Sequence, residues 1–263
     1  LGKYDEVLRH CLAQAGFAGL PILGPHNGQN YRDIPFMPET AAGNPAALFR
    51  FTREAIHTLL FSDFLDDLCL RLRPYAPDPP RFEEGFESTL EKAAGAIEEE
   101  GLSEPALKNR IRQSVDSLLP LSRTDHPRFP LVLFIGEIYM RLHDPYTDHA
   151  IRRLESSGLE VIRSGIGEWL EYMSAMTRRD GLNLANLLAG AALAFSRSRF
   201  SLLGGKPFPE RQRLPDPVEA IGNLERERLF TGEIGGESPI NIGIFNEFMK
   251  GRIPSFDGLP VCG

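Results

Sequence analysis

Residues 131 to 155 read LVLFIGEIYMRLHDPYTDHAIRRLE, and the chemistry in them is concentrated just after the apolar run Leu131 to Ile135. An unbroken run of this kind makes a strand buried on both faces, and Gly136-Glu137 stops it with a charge. A carboxylate at the carboxyl end of the first strand of a β-α-β unit stands where α/β sheets bind ligands, and Tyr139 and Arg141 follow it on the same connection. Glu137, Tyr139 and Arg141 are therefore candidates for orienting a ligand. The alternative for Glu137 is structural, accepting N–H bonds from the next turn or pairing with Arg141, and of the two this role is the commoner at strand ends.

Other polar groups fall at similar places. Glu168 lies beside Trp169, and Trp169 sits on an apolar stripe as a packing anchor. Asn27, Asn30 and Tyr31 occupy a polar loop after the short strand LPILGP, although Asn27-Gly28 is also an ordinary turn pair. Ser238 stands at the start of a helix whose amino end could hold an anion, and ordinary capping accounts for it too. Asp144, Thr147 and Asp148 are candidate caps for the helix that follows them. His57, His126, His143 and His149 lack the HExxH spacing of zinc sites. Cys11, Cys69 and Cys262 are too scattered for a disulfide framework or a CxxC site, and Cys11 and Cys69 lie on apolar helical stripes, where a thiol packs as a small hydrophobe.

The elements that must position these residues can be read from periodicity. Val7, Leu8, Cys11, Leu12 and Ala15 make one helical face ended by Gly16. Between Pro45 and Leu119 three further stripes predict three helices: Leu48, Phe51, Ala55, Leu59 and Leu60; Phe82, Phe86, Leu90 and Ile97; Leu107, Ile111, Val115 and Leu118. RPYAPDPPRF joins the first two, because proline is excluded from helix interiors. SRTDHPRFP, at 122 to 130, has the composition of a linker. A β-α-β unit follows, with strand 131 to 135, a helix from about Thr147 to Ser157, Gly158 at its end, and a parallel strand 159 to 163. Helices are expected at IGEWLEYMSAMTRR, LNLANLLAGAALAFSRSRF and LPDPVEAIGNLERERLF. In the last helix, opened by Ser238-Pro239, the expected buried residues are Ile242, Phe245, Phe248 and Met249.

Composition narrows the function classes. The 263 residues carry 29 Lys and Arg against 36 Asp and Glu, a net charge of −7, so no basic surface for nucleic acid is expected. No apolar run approaches the roughly 18 residues that span a bilayer, and no signal peptide opens the chain, which reads as cytoplasmic with no membrane partner. Neither GxGxxG nor GxxxxGK[ST] occurs, which disfavours ATP binding here. Starting at Leu1-Gly2 and stopping at DGLPVCG, the sequence reads as a fragment of a longer protein.

Three stretches together, LGKYDEVLRHCLAQAGF with LPILGPHNGQNYRD, GEIYMRL at 136 to 142 and EWLEY at 168 to 172, resemble the 2-hydroxyacyl-CoA dehydratase-like region of CoA-substrate-specific enzyme activases. The resemblance runs over nearly the whole chain and is weakest in the helical middle. It implies two Rossmann-like parallel-sheet lobes with a helical insertion: residues 1–44 as the end of a partial first lobe, 45–129 as helical segment and linker, and 130–263 as the second lobe. It implies low-potential electron transfer to, or dehydration of, a 2-hydroxyacyl-CoA thioester. A [4Fe-4S] cluster is implied for the full-length protein, with its cysteine ligands outside this chain and no ligand role for Cys262. The implied partner is an acyl-CoA substrate or a partner dehydratase or activator subunit; a dimer is possible, and the sequence leaves the oligomeric state open. Two rivals stand beside it: a docking module, which predicts an exposed apolar patch, and a CoA-binding domain without its own redox centre.

Overall fold

The computed structural model describes residues 4–20, 45–101, 103–123, 125–168, 217–229 and 238–251. The strand expected from Leu20 to Pro25 beyond its first residue, the helix expected in IGEWLEYMSAMTRR beyond Glu168, the helix expected in LNLANLLAGAALAFSRSRF, and Cys262 fall outside them. The chain forms two compact units, Leu1–Thr52 and Arg53–Gly263.

In the first unit helix α1 spans Tyr4–Gln14. It ends as predicted: Gly16 takes φ +87°, its N–H reaches Ala13 O at 3.1 Å, and the N–H of Phe17 reaches Leu12 O at 2.7 Å. Those two bonds close the helix in the αL form that glycine adopts without a Cβ clash. The stripe on α1 is not buried, however. Val7, Leu8 and Cys11 are exposed, which corrects the expectation of a core thiol at Cys11. Periodicity says which residues share a face, and coverage of that face is a separate matter.

Helix α2, Pro45–Leu72, starts in the first unit and runs on into the second. Of the predicted stripe, Ala55 is exposed and Leu59 and Leu60 are half-buried, whereas Phe61, Phe64, Leu65, Leu68, Cys69 and Leu72 are buried. They form one core with Phe82 and Ala93 of α3 (Pro79–Glu100) and Leu107, Val115 and Leu118 of α4 (Glu104–Leu118). Asp78 and Ser103 cap α3 and α4, accepting from Arg81 N and Ala106 N, and prolines occupy both first turns, where the missing N–H costs no bond.

The segment 122 to 130 is tied to the end of α2. Ser122 Oγ donates to Leu72 O at 2.8 Å and Arg123 N to Tyr75 O at 3.0 Å. The Phe129 ring stacks on Tyr75 at 5.0 Å. It leads into β1, Leu131–Phe134, which pairs in parallel with β2, Glu160–Arg163, in the register Leu131↔Glu160 to Phe134↔Arg163. The β-α-β connection is therefore as predicted. Its helical part is not one helix but three pieces: α5 (Ile138–Leu142), a 3-10 turn (Asp144–Thr147) and α6 (Ala150–Ser156). Asp148 and His149 at φ +52° and +54° cause the break, and α6 has no side-chain cap, so neither aspartate nor Thr147 caps it.

Helices cover the sheet on two sides. Phe134 and Val161 pack with Leu70 of α2 and Ile151 and Leu154 of α6. Leu133 and Ile135 pack with Ile221 of α7 (Pro217–Arg226) and Ile240 and Ile244 of α8 (Ser238–Met249). The described residues thus have partial α/β character: mostly helix, with one two-stranded parallel sheet. The helical residues from Arg53 share a compact unit with that sheet.

Candidate functional site

The parallel register brings the carboxyl ends of β1 and β2 to one edge, and the polar residues gather there. Gly136 leaves β1 at φ +153°, a conformation reserved for glycine. Glu137 is the N-cap of α5, its carboxylate accepting from Met140 N at 3.0 Å. The charge after the strand thus bonds to an N–H that the helix cannot satisfy internally.

Arg141 does not pair with Glu137. It is buried, 2% exposed, and its Nη1 donates to Gly136 O and to Asn241 Oδ1, each at 3.3 Å. Asn241 of α8 donates in turn to Gly136 O at 3.0 Å, so one carbonyl at the end of β1 holds two side chains from distant elements. Arg163, the last residue of β2, donates to Arg141 O at 2.6 Å and pairs with Asp66 of α2.

The turn after β2 is gripped from α2 as well. Asp63 accepts from Ile166 N at 3.0 Å and Gly167 N at 2.5 Å, capping the helical turn at 166–168 that carries Glu168. A Cβ at Gly165 would collide with the Asp63 carboxyl group, and one at Gly167 would stand 2.9 Å from its Oδ2. Burial pushes the Asp63 carboxyl up to about 6, against the lowering effect of those two N–H donors; Asp66 raises it further and Arg163 opposes. Ser164, between β2 and this turn, is also 2% exposed.

The other candidates lie elsewhere. Tyr139 is 39% exposed and belongs to a ring cluster, stacked on His143 at 5.4 Å and edge-on to Tyr146 at 5.0 Å. The hydrogen bond with the Tyr146 side chain raises its pKa. Ser238 is exposed in the first turn of α8, ahead of Asn241. Asn27, Asn30 and Tyr31 lie outside the described residues.

Asp63, Arg163, Ser164 and Asn241 were missed by sequence reasoning. For Asp63 a signal existed: Gly165-Ile166-Gly167 directly after a strand demands a close neighbour, and Asp63 interrupts the apolar stretch Leu60 to Phe64. Asn241 gives no such signal in an apolar helix.

Among the described residues no group of three or more His, Cys, Asp or Glu is arranged to hold a metal ion. Cys69 is buried in the apolar core, and burial pushes its thiol up to about 12, far from the thiolate that iron requires; Cys11 is exposed on α1. These cysteines do not fit an iron-sulfur cluster. No helix among the described residues is long and apolar enough to cross a membrane. In comparisons with known protein families, with curated proteins and with solved structures, no match was found.

Proposed function

We propose that this chain is part of an iron-sulfur-associated acyl-CoA dehydratase or activase, taking part in low-potential electron transfer for dehydration of a 2-hydroxyacyl-CoA or a related thioester. The resemblance in GEIYMRL and EWLEY motivates the reading. The observation that carries it is the corner that GEIYMRL builds, where Glu137 caps α5 and Arg141 is buried against Gly136 at the carboxyl edge of a parallel sheet. An edge with two guanidinium groups suits an acidic thioester substrate better than a cationic one. Since the described cysteines do not fit a cluster, the reading keeps the cluster's ligands outside this chain. The role left to these residues is to hold the substrate and to keep the two strand ends in place.

Anaerobic iron and sulfide analysis tests this on the longer polypeptide that the reading requires, beside the present chain. About four irons per longer chain, with an EPR signal on reduction, is the expected result. An anaerobically reconstituted long form without iron would sink the redox reading.

A docking module is favoured by one observation. Ile242, Phe245 and Met249, spaced at three and four along α8, are exposed. Under that reading the long form holds no iron, and serine at these three positions abolishes association with the redox subunit while leaving the fold intact.

A further inference from the structure

Arg141 is a buried cation with neutral partners. Among the described residues its side chain is bonded to Gly136 O and Asn241 Oδ1 alone, both long contacts, and its Nε is buried without a hydrogen bond. No carboxylate of a described residue is bonded to it, whereas Arg163 beside it has Asp66. Burying a guanidinium without an anion is costly, because its hydration is lost and neutral carbonyls return only part of it. Native folds keep such a group where something negative comes to it.

A second observation falls at the same edge. Ser164 Oγ is buried and, among the described residues, also lacks a hydrogen-bond partner. Ser164 directly follows Arg163, the last paired residue of β2, and Gly136 stands two residues beyond Phe134, the last paired residue of β1, so both lie just past the carboxyl ends of adjacent strands. Arg163, next to Ser164 in the chain, donates to Arg141 O at 2.6 Å, which brings the end of β2 to α5. Nothing lies within 4 Å of where a Gly136 Cβ would be, so there is open space beside this backbone. Two buried, unsatisfied donors next to an open glycine make a cradle for an oxygen anion.

We infer that the carboxyl edge of β1 and β2 is an anion-binding site, in which Arg141 Nε and Ser164 Oγ hold the oxygens of a phosphate or carboxylate group of a small acidic ligand. Asn241 is a positioning residue, fixing the Arg141 guanidinium through Oδ1 while anchored to Gly136 O. Asp63 sets the far side by gripping the turn that follows Ser164. The inference names a ligand chemistry for the site of the proposed function, yet it does not need the cluster.

Calorimetric titration of the whole chain at fixed ionic strength tests it, with coenzyme A, sodium phosphate and sodium acetate as probes and sodium chloride as control. Saturable binding of coenzyme A and phosphate identifies a phosphate group as the ligand; saturable binding of acetate identifies a carboxylate. In either case Arg141→Met weakens binding by roughly 10-fold or more and Ser164→Ala by a smaller factor. Binding by none of the three probes, or unchanged affinity in Arg141→Met of normal circular dichroism, overturns the inference. Should Arg141→Met fail to fold, Ser164→Ala and Asn241→Ala decide, and unchanged affinity in both overturns it. The titration involves no iron, so its failure and the failure of the redox reading are separate results.

Discussion

At the scale of single residues the corner after β1 is built from constraints that only particular side chains meet. Gly136 supplies a backbone angle other residues avoid, and Glu137 supplies an acceptor to the N–H of Met140. Glutamate is not among the favoured N-caps, which are shorter, so its longer arm must fold back to reach that donor. Glu137→Ala is accordingly expected to lower stability by about 1 kcal/mol, and Glu137→Asp, a better cap by type, to restore it. Urea denaturation of the three proteins checks this, and an alanine variant as stable as the parent would show that the cap carries no weight. Neither change removes a donor from the proposed anion site, so anion affinity should stay within about 2-fold of the parent in both, well short of the loss of a charged hydrogen bond.

Among the elements, α8 shows what periodicity can and cannot decide. Ile240, Ile242, Ile244, Phe245, Phe248 and Met249 make it apolar nearly all round, so two faces compete for burial. The expected face of Ile242, Phe245, Phe248 and Met249 is largely the exposed one; Ile240, Gly243 and Ile244 are buried, because Gly243 lets the helix approach α7 until its Cβ position stands 3.2 Å from Ala220. Ile244→Asp is therefore expected to cost about 4 kcal/mol or to prevent folding, and Ile242→Asp to change stability by less than about 1 kcal/mol. Thermal unfolding of both variants distinguishes the faces, and equal losses would contradict this packing. By contrast α4 was legible because Leu107, Val115 and Leu118 are one narrow stripe in a polar helix, and β1 because an apolar run broken by Gly-Glu has few other readings. The connection between the strands was legible in direction and not in detail: the left-handed backbone at Asp148 and His149 leaves no compositional trace. Of the site, sequence gave Glu137 and Arg141, whereas the partner Asn241 lies 100 residues further on and only packing brings it to Arg141.

On the scale of the whole second unit, polar clamps join the helical half to the sheet. Tyr75 donates to Glu160 at 2.7 Å, Arg73 makes a paired contact with Glu155, Arg152 meets Glu83, Arg163 meets Asp66, and Asp63 holds the turn after β2. These clamps give stability a pH dependence whose sign can be worked out for Asp63. Its folded pKa, about 6, lies above the ordinary value of 3.8, since burial disfavours the charged carboxylate more than the Ile166 and Gly167 donors favour it. Between these values the folded chain holds more protons than the unfolded one, so this stabilising contribution is complete below about pH 4 and is lost as pH rises through about 6. Burial raises Glu155 in the same direction, while the Arg152 hydrogen bond lowers Glu83, so the total curve mixes opposing parts. Subtracting Asp63→Asn from the parent isolates the Asp63 part, because asparagine does not titrate. The stability difference from urea unfolding is expected to be largest near pH 4, to fall by up to about 1.4 kcal/mol per pH unit towards pH 6, and to level off above it. A difference that rises across that window would mean that the two N–H donors outweigh burial, making the Asp63 grip on Gly167 strongest when the carboxylate is charged.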